Sequence, residues 1–164
     1  ENLMENLNKK YKLAELSYKL FSDERSDIIW PINCGLPMDI IVALIQNNPI
    51  FVVKGSEEYQ RYSFVHKSIQ EFLVALHLAE IVNNTGWESR IIYGTKEVDV
   101  KTLIDKKAWL PQWEPVIIFM SGLIHDVYKK DLLGIIRGAD DIFRHRLSLA
   151  ARCLPEVLNN FSKD

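Results

Sequence analysis

Cysteine is scarce in this sequence, and no apolar run is long. The two cysteines, Cys34 and Cys153, lie far apart and outside any C-x-x-C pattern. Zinc sites and thiol redox motifs need closely spaced ligand pairs, so neither is encoded. Two lone cysteines without a secretion signal fit a reducing compartment, where they serve as small buried hydrophobes and a bridge between them is disfavoured. The longest apolar stretches are broken by Lys, Glu, His or Asn well short of the ~20 residues of a membrane span. The first residues do not read as a signal peptide. Neither HxxxH nor HExxH spacing occurs, so His77, His125 and His145 are not expected to hold a metal. Charge of one sign is lacking too. The formal net charge of -2 gives no global reason to hold a polyanion.

What remains is an ordinary globular composition, 48% hydrophobic and 26% charged over 164 residues. That length fits one domain or two small ones. Leu3, Leu7, Tyr11, Ala14, Tyr18 and Phe21 recur at helical steps, so residues 1–22 are predicted as a helix. After a polar break at 23–26 comes an irregular apolar stretch around Pro31. Pro37 then opens a second helix that Asn47-Asn48-Pro49 stops. Ile50 to Val53 and Tyr59 to Val65 read as two strands joined by a turn at 55–58. In the second, Tyr62, Phe64 and His66 alternate with Ser63 and Val65.

A strong helix is predicted from Ser68 to Asn83. Phe72, Ala75, Leu76 and Ala79 make one apolar stripe, and Val74, Leu78 and Ile81 occupy much of the other side. A helix this apolar is buried on more than one face, so it is expected to lie between two packed units. Beyond Gly86 strand signals fade. Residues 99–107, 111–124, 128–137 and 140–154 read as helices joined by short polar breaks, with Pro115 in a first turn and Asp140-Asp141 at a helix start. Consecutive helical hairpins are how an α-solenoid begins. The expected fold is therefore mainly α. A winged-helix-like unit with a small β-hairpin spans 1–84, and a helical-repeat segment spans 85–164.

One run carries more information. Tyr62-Ser-Phe-Val-His66-Lys-Ser68-Ile-Gln70-Glu71-Phe72-Leu-Val-Ala75 resembles the signature near the end of the winged-helix part of NACHT-type NTPases, relatives of the NOD-like receptors. The shared form is an aromatic-rich strand, then His-x-Ser-x-Gln-Glu-Phe, then small and apolar residues. Trp113-Glu-Pro-Val-Ile-Ile-Phe-Met-Ser-Gly122-Leu is similar to the helix that follows in bacterial members, and Leu147-Ser-Leu-Ala-Ala151-Arg-Cys-Leu resembles HEAT-like repeat helices.

The resemblance has a boundary. No GxxxxGK[ST] occurs, and no apolar strand ends in an acidic pair to hold Mg²⁺. The hydrolytic half of such a protein is thus expected upstream of Glu1, and the chain, opening on Glu rather than Met, reads as a piece of it. No enzyme activity is expected of the piece itself, and no cofactor; ADP or ATP with Mg²⁺ belongs to the parent protein. The resemblance implies one site residue, His66, whose family counterpart reaches the nucleotide's β-phosphate in the inactive, ADP-bound state. The chemistry fits, because a ring N–H can donate to a phosphate oxygen. The helix start at Lys67 to Ile69 also offers free backbone N–H groups. Ser68 is predicted as the N-cap, with Glu71 completing a capping box.

Bland roles compete with each of these. His66 can pack at a strand end, and without a P-loop one contact gives little affinity. Ser68 has His66 two residues away as a base, but the sequence suggests no third group to orient it for a nucleophile, so a structural cap is favoured. Lys129, Lys130, Arg137, Arg144, Arg146 and Arg152 make the last third locally basic, which reads as a solvated helical face. Trp113 is assigned to the core, and Trp87 and Trp109 are left open.

The reading that absorbs most of this is a regulatory switch module of a signalling NTPase, working in the cytoplasm in innate immunity or antiphage defence. Its partners are the upstream NTPase domain, downstream helical repeats and an unidentified ligand or protein signal; the isolated piece is expected to be a monomer. The alternatives are a helical-repeat interaction scaffold and a winged-helix DNA-binding domain. The second helix has no Lys or Arg for a groove, so nucleic acid is disfavoured.

Overall fold

The computed structural model describes residues 3–25, 27–29, 38–45, 48–55, 61–138 and 142–158. The described residues are mainly helical, at 68% helix with seven helices and small antiparallel β-hairpins, as the sequence pattern predicts. The chain divides into two compact units, Glu1–His77 and Leu78–Asp164.

The first unit opens with α1, Leu3–Ser22, which buries Ala14, Leu16, Tyr18 and Leu20. It ends in a left-handed residue, Glu24, at φ 58°. The Arg25 N–H donates to the Leu20 carbonyl at 2.8 Å and the Glu24 N–H to the Phe21 carbonyl at 3.1 Å. This pair of bonds is a Schellman closure, made here with Glu where Gly is the usual residue. Strand β1, Asp27–Ile29, follows, then α2, Met38–Ile45. The expected start of α2 at Pro37 and the cysteine at 34 fall outside the described residues.

Asn48 turns the chain out of α2. Its Nδ2 donates to the Leu44 carbonyl at 3.2 Å, and its Oδ1 accepts from the Ile50 N–H at 3.2 Å. That local bonding is why Asn favours such turns. Strands β2, Phe51–Lys54, and β3, Arg61–Phe64, pair antiparallel with Phe51 opposite Phe64. Both rings are buried, with centroids 4.7 Å apart. Strand β1 adds to the far side of β3, giving the order β1-β3-β2. The hairpin is thus the larger part of a three-stranded sheet. Of the expected turn at 55–58, only Gly55, at φ 104°, is described.

Helix α3 runs from Lys67 to Thr85, slightly longer than its pattern predicts. The division between the two units falls inside it. Within the first unit it buries Leu73, Val74, Ala75 and Leu76, whereas Phe72, assigned to the apolar stripe, is 37% exposed. Gly86, at φ 85°, ends the helix.

The second unit corrects one expectation. Strands do not fade after Gly86: β4, Arg90–Tyr93, and β5, Lys96–Asp99, form a second antiparallel hairpin. Gly94 at φ 60° makes its turn. The signal was weak because Arg90, Lys96, Glu97 and Asp99 supply charge where strands usually carry β-branched residues. Helix α4, Val100–Lys107, begins where β5 ends, with Asp99 Oδ1 accepting from the Thr102 N–H at 2.7 Å. That bond is the cap expected of Asp at this position. A 3₁₀ turn at Pro111–Trp113 leads into α5, Glu114–Leu123, with Pro115 in its first turn as predicted.

Helices α6, Asp126–Arg137, and α7, His145–Leu158, complete the unit, and α7 packs on both α5 and α6. Their shared core holds Trp113, Ile117, Met120, Leu132, Ile136, Leu149 and Cys153. The expected helix from 140 is corrected at both ends. Helix α7 starts at His145, after Arg144 at φ 54°, and continues past Leu154 through Pro155. Proline removes one helical hydrogen bond, but the turn beyond it buries Val157. Asp140 and Asp141 lie outside the described residues.

Candidate functional site

His66 sits between β3 and α3, immediately before the first helical residue. It is exposed. Its backbone carbonyl accepts the Ile69 N–H at 3.1 Å, which closes the first turn. The start of a 19-residue helix therefore lies directly beside the imidazole. Helix starts carry unsatisfied N–H groups and the positive end of the dipole. Lys67 and Ser68, also exposed, stand in the same turn. An imidazole and a hydroxyl beside a helix start together suit an anion.

Ser68 is not the residue before the helix, as the capping-box pattern predicts; it is the second residue of α3. Glu71 consequently turns to Lys67 instead, with Nζ to Oε1 at 3.4 Å. The glutamate is buried and the lysine is not. Gln70, 1% exposed, donates from Nε2 to the Arg25 carbonyl at 2.8 Å, next to the left-handed end of α1. The polar residues of the His-x-Ser-x-Gln-Glu run thus divide by role. Gln70 and Glu71 are inward and structural, fixing the start of α3, while His66 and Ser68 face solvent. The sequence pattern marks the run but not this division, which follows from the α3 boundary.

The remaining histidines do not converge. The His77 ring packs tilted against Tyr18 with centroids 4.9 Å apart, and burial pushes its pKa down to about 4; Glu15 opposes that shift and Lys19 adds to it. The His125 N–H donates to Asn83 Oδ1. His145 Nε2 lies 3.5 Å from Glu114 Oε1, and its ring stacks on Trp109. Among the described residues no group of three or more His, Cys, Asp or Glu is placed to hold a metal ion.

The basic last third is not uniformly a solvated face, which is a further correction. Lys129 and Arg146 are each 1% exposed. Arg146 Nε donates to the Ile136 carbonyl at 2.6 Å, and its Nη2 meets the Ile135 carbonyl and Asp105 Oδ1 at 2.5 and 2.6 Å. Its guanidinium also lies 5.1 Å from the Trp109 ring centre. Those carbonyls belong to the last turn of α6, so Arg146 caps one helix from another. Lys129 Nζ reaches the Glu156 carbonyl at 3.3 Å and Asp126 at 2.9 Å. Arg152 meets Glu114 at 2.6 Å. These cations hold helices together. Helical periodicity hides this, because a buried cation breaks the rule that the apolar face is the inner one.

Of the tryptophans left open, Trp87 is buried and Trp109 is 36% exposed; Trp113 is in the core as assigned. An open cleft of about 830 Å³ lies in the second unit, lined by residues of the Trp87-Glu88 turn, α4 and α6. Its walls carry both signs of charge, with Lys101 and Lys130 against Glu88, Asp99, Asp105 and Asp131. Among the described residues no helix is long and apolar enough to cross a membrane. No protein-family model matches the chain, and no curated protein matches its sequence.

Proposed function

We propose that this chain is a non-catalytic regulatory module of a NACHT-type signalling NTPase, working in the cytoplasm. In this reading, His66 senses the ADP-bound state of an upstream NTPase domain and the helical segment couples that state to an incoming signal. One observation supports it above the others: His66 is exposed, at the start of α3, while its neighbours Gln70 and Glu71 are spent on anchoring that helix. A ring that only packed would be expected to lie inside. The order helix, strand, helix, hairpin, helix in the first unit also suits a winged-helix-like part.

Mechanistically, the ring N–H and the first backbone amides of α3 would donate to phosphate oxygens presented by the NTPase domain. ADP would thereby favour the closed arrangement, and loss of that contact would shift the population toward the active one. Nucleotide and Mg²⁺ chemistry stay with the upstream domain. The test is His66→Ala in the intact protein. Co-purified ADP should fall and the basal oligomer fraction should rise. Unchanged ADP retention and an unchanged oligomer fraction would overturn the reading.

A helical interaction scaffold is the second reading, favoured by the exposed leucines Leu154 and Leu158 on α7. It leaves the His-x-Ser-x-Gln-Glu-Phe run without a role for His66, so the same mutant separates the two.

A further inference from the structure

We draw no further inference here: the strongest candidate, the open cleft between α4 and α6 in the second unit, holds charges of both signs, of which Asp99, Asp105 and Lys101 are already engaged by Thr102, Arg146 and Glu88, and nothing in the structure selects the chemistry of an occupant.

Discussion

Asn83 holds the backbone of His125 across 42 residues of chain, its Oδ1 accepting the His125 N–H at 2.7 Å. The same side chain donates from Nδ2 to the Leu123 carbonyl at 3.1 Å. Leu123 is the last residue of α5 and His125 caps the start of α6. Helix ends leave such groups unpaired. One carboxamide on α3 therefore satisfies the end of one helix and the start of the next. Asn83→Ala should lower unfolding stability by about 1–3 kcal/mol, since both backbone groups lose their partner. Asn83→Asp keeps the acceptor and loses the donor, so urea denaturation should place it between the two. Equal stability of wild type and alanine variant would show that solvent replaces both bonds.

Arg146 carries a heavier structural role. Replacing it with Met keeps much of the volume but leaves two α6 carbonyls and Asp105 without their donor. A loss of about 2–5 kcal/mol is expected, since two α6 carbonyls are left without a partner. Asp105→Asn should cost less, because the asparagine oxygen can still accept from Nη2 and both α6 carbonyls keep their donor, so the buried guanidinium loses only its counter-charge. Chemical unfolding of the two variants side by side checks the order.

The left-handed Glu24 offers a gain. A non-glycine residue at φ 58° is strained by its Cβ. Glu24→Gly should relieve that strain and stabilise the chain by roughly 0.5–1 kcal/mol, after the entropy that glycine adds to the unfolded state. Thermal unfolding should show a small rise in Tm. A fall would mean that the Glu24 side chain contributes more than the strain removes.

His77 sets an acid sensitivity. Its folded pKa of about 4 lies below the ordinary 6.5, so the unfolded chain takes up this proton first as pH falls. The stability it contributes is fully present above pH 6.5. That contribution declines as pH drops toward 4 and is gone below. The shift corresponds to an effect on the order of 3 kcal/mol. His77→Phe should flatten the stability profile between pH 7 and 4 relative to wild type. Parallel profiles would refute the assignment.

His66 itself should matter little to folding. Substituting an exposed residue away from special features usually changes stability by within about 0.5 kcal/mol. His66→Ala should therefore unfold like wild type, which makes any change in the ADP retention proposed for the intact protein attributable to the lost ring. A large destabilisation would assign His66 to structure instead.

Periodicity alone carried much of this molecule. The helical steps of α1 and α3, the Pro115 start of α5 and the core placement of Trp113 are all legible, because burying one face leaves a regular trace in the sequence. The alternation around Phe64 likewise placed β3. The His-x-Ser-x-Gln-Glu-Phe run marked the candidate site as a stretch of chain. Tertiary structure decided what the trace cannot encode. The β4–β5 hairpin pairs a short apolar strand with a mainly charged one, and that backbone pairing leaves little pattern in the side chains. Lys129 and Arg146 are buried because backbone carbonyls of a neighbouring helix answer their charge, joined by Asp126 one turn away for Lys129 and by Asp105 for Arg146. Gln70 and Asn83 act on backbone groups 45 and 40 residues away. A hydrogen bond to a backbone carbonyl depends on where that carbonyl lies, not on which side chain follows it, so these contacts have no sequence signature. They exist only once the chain has folded.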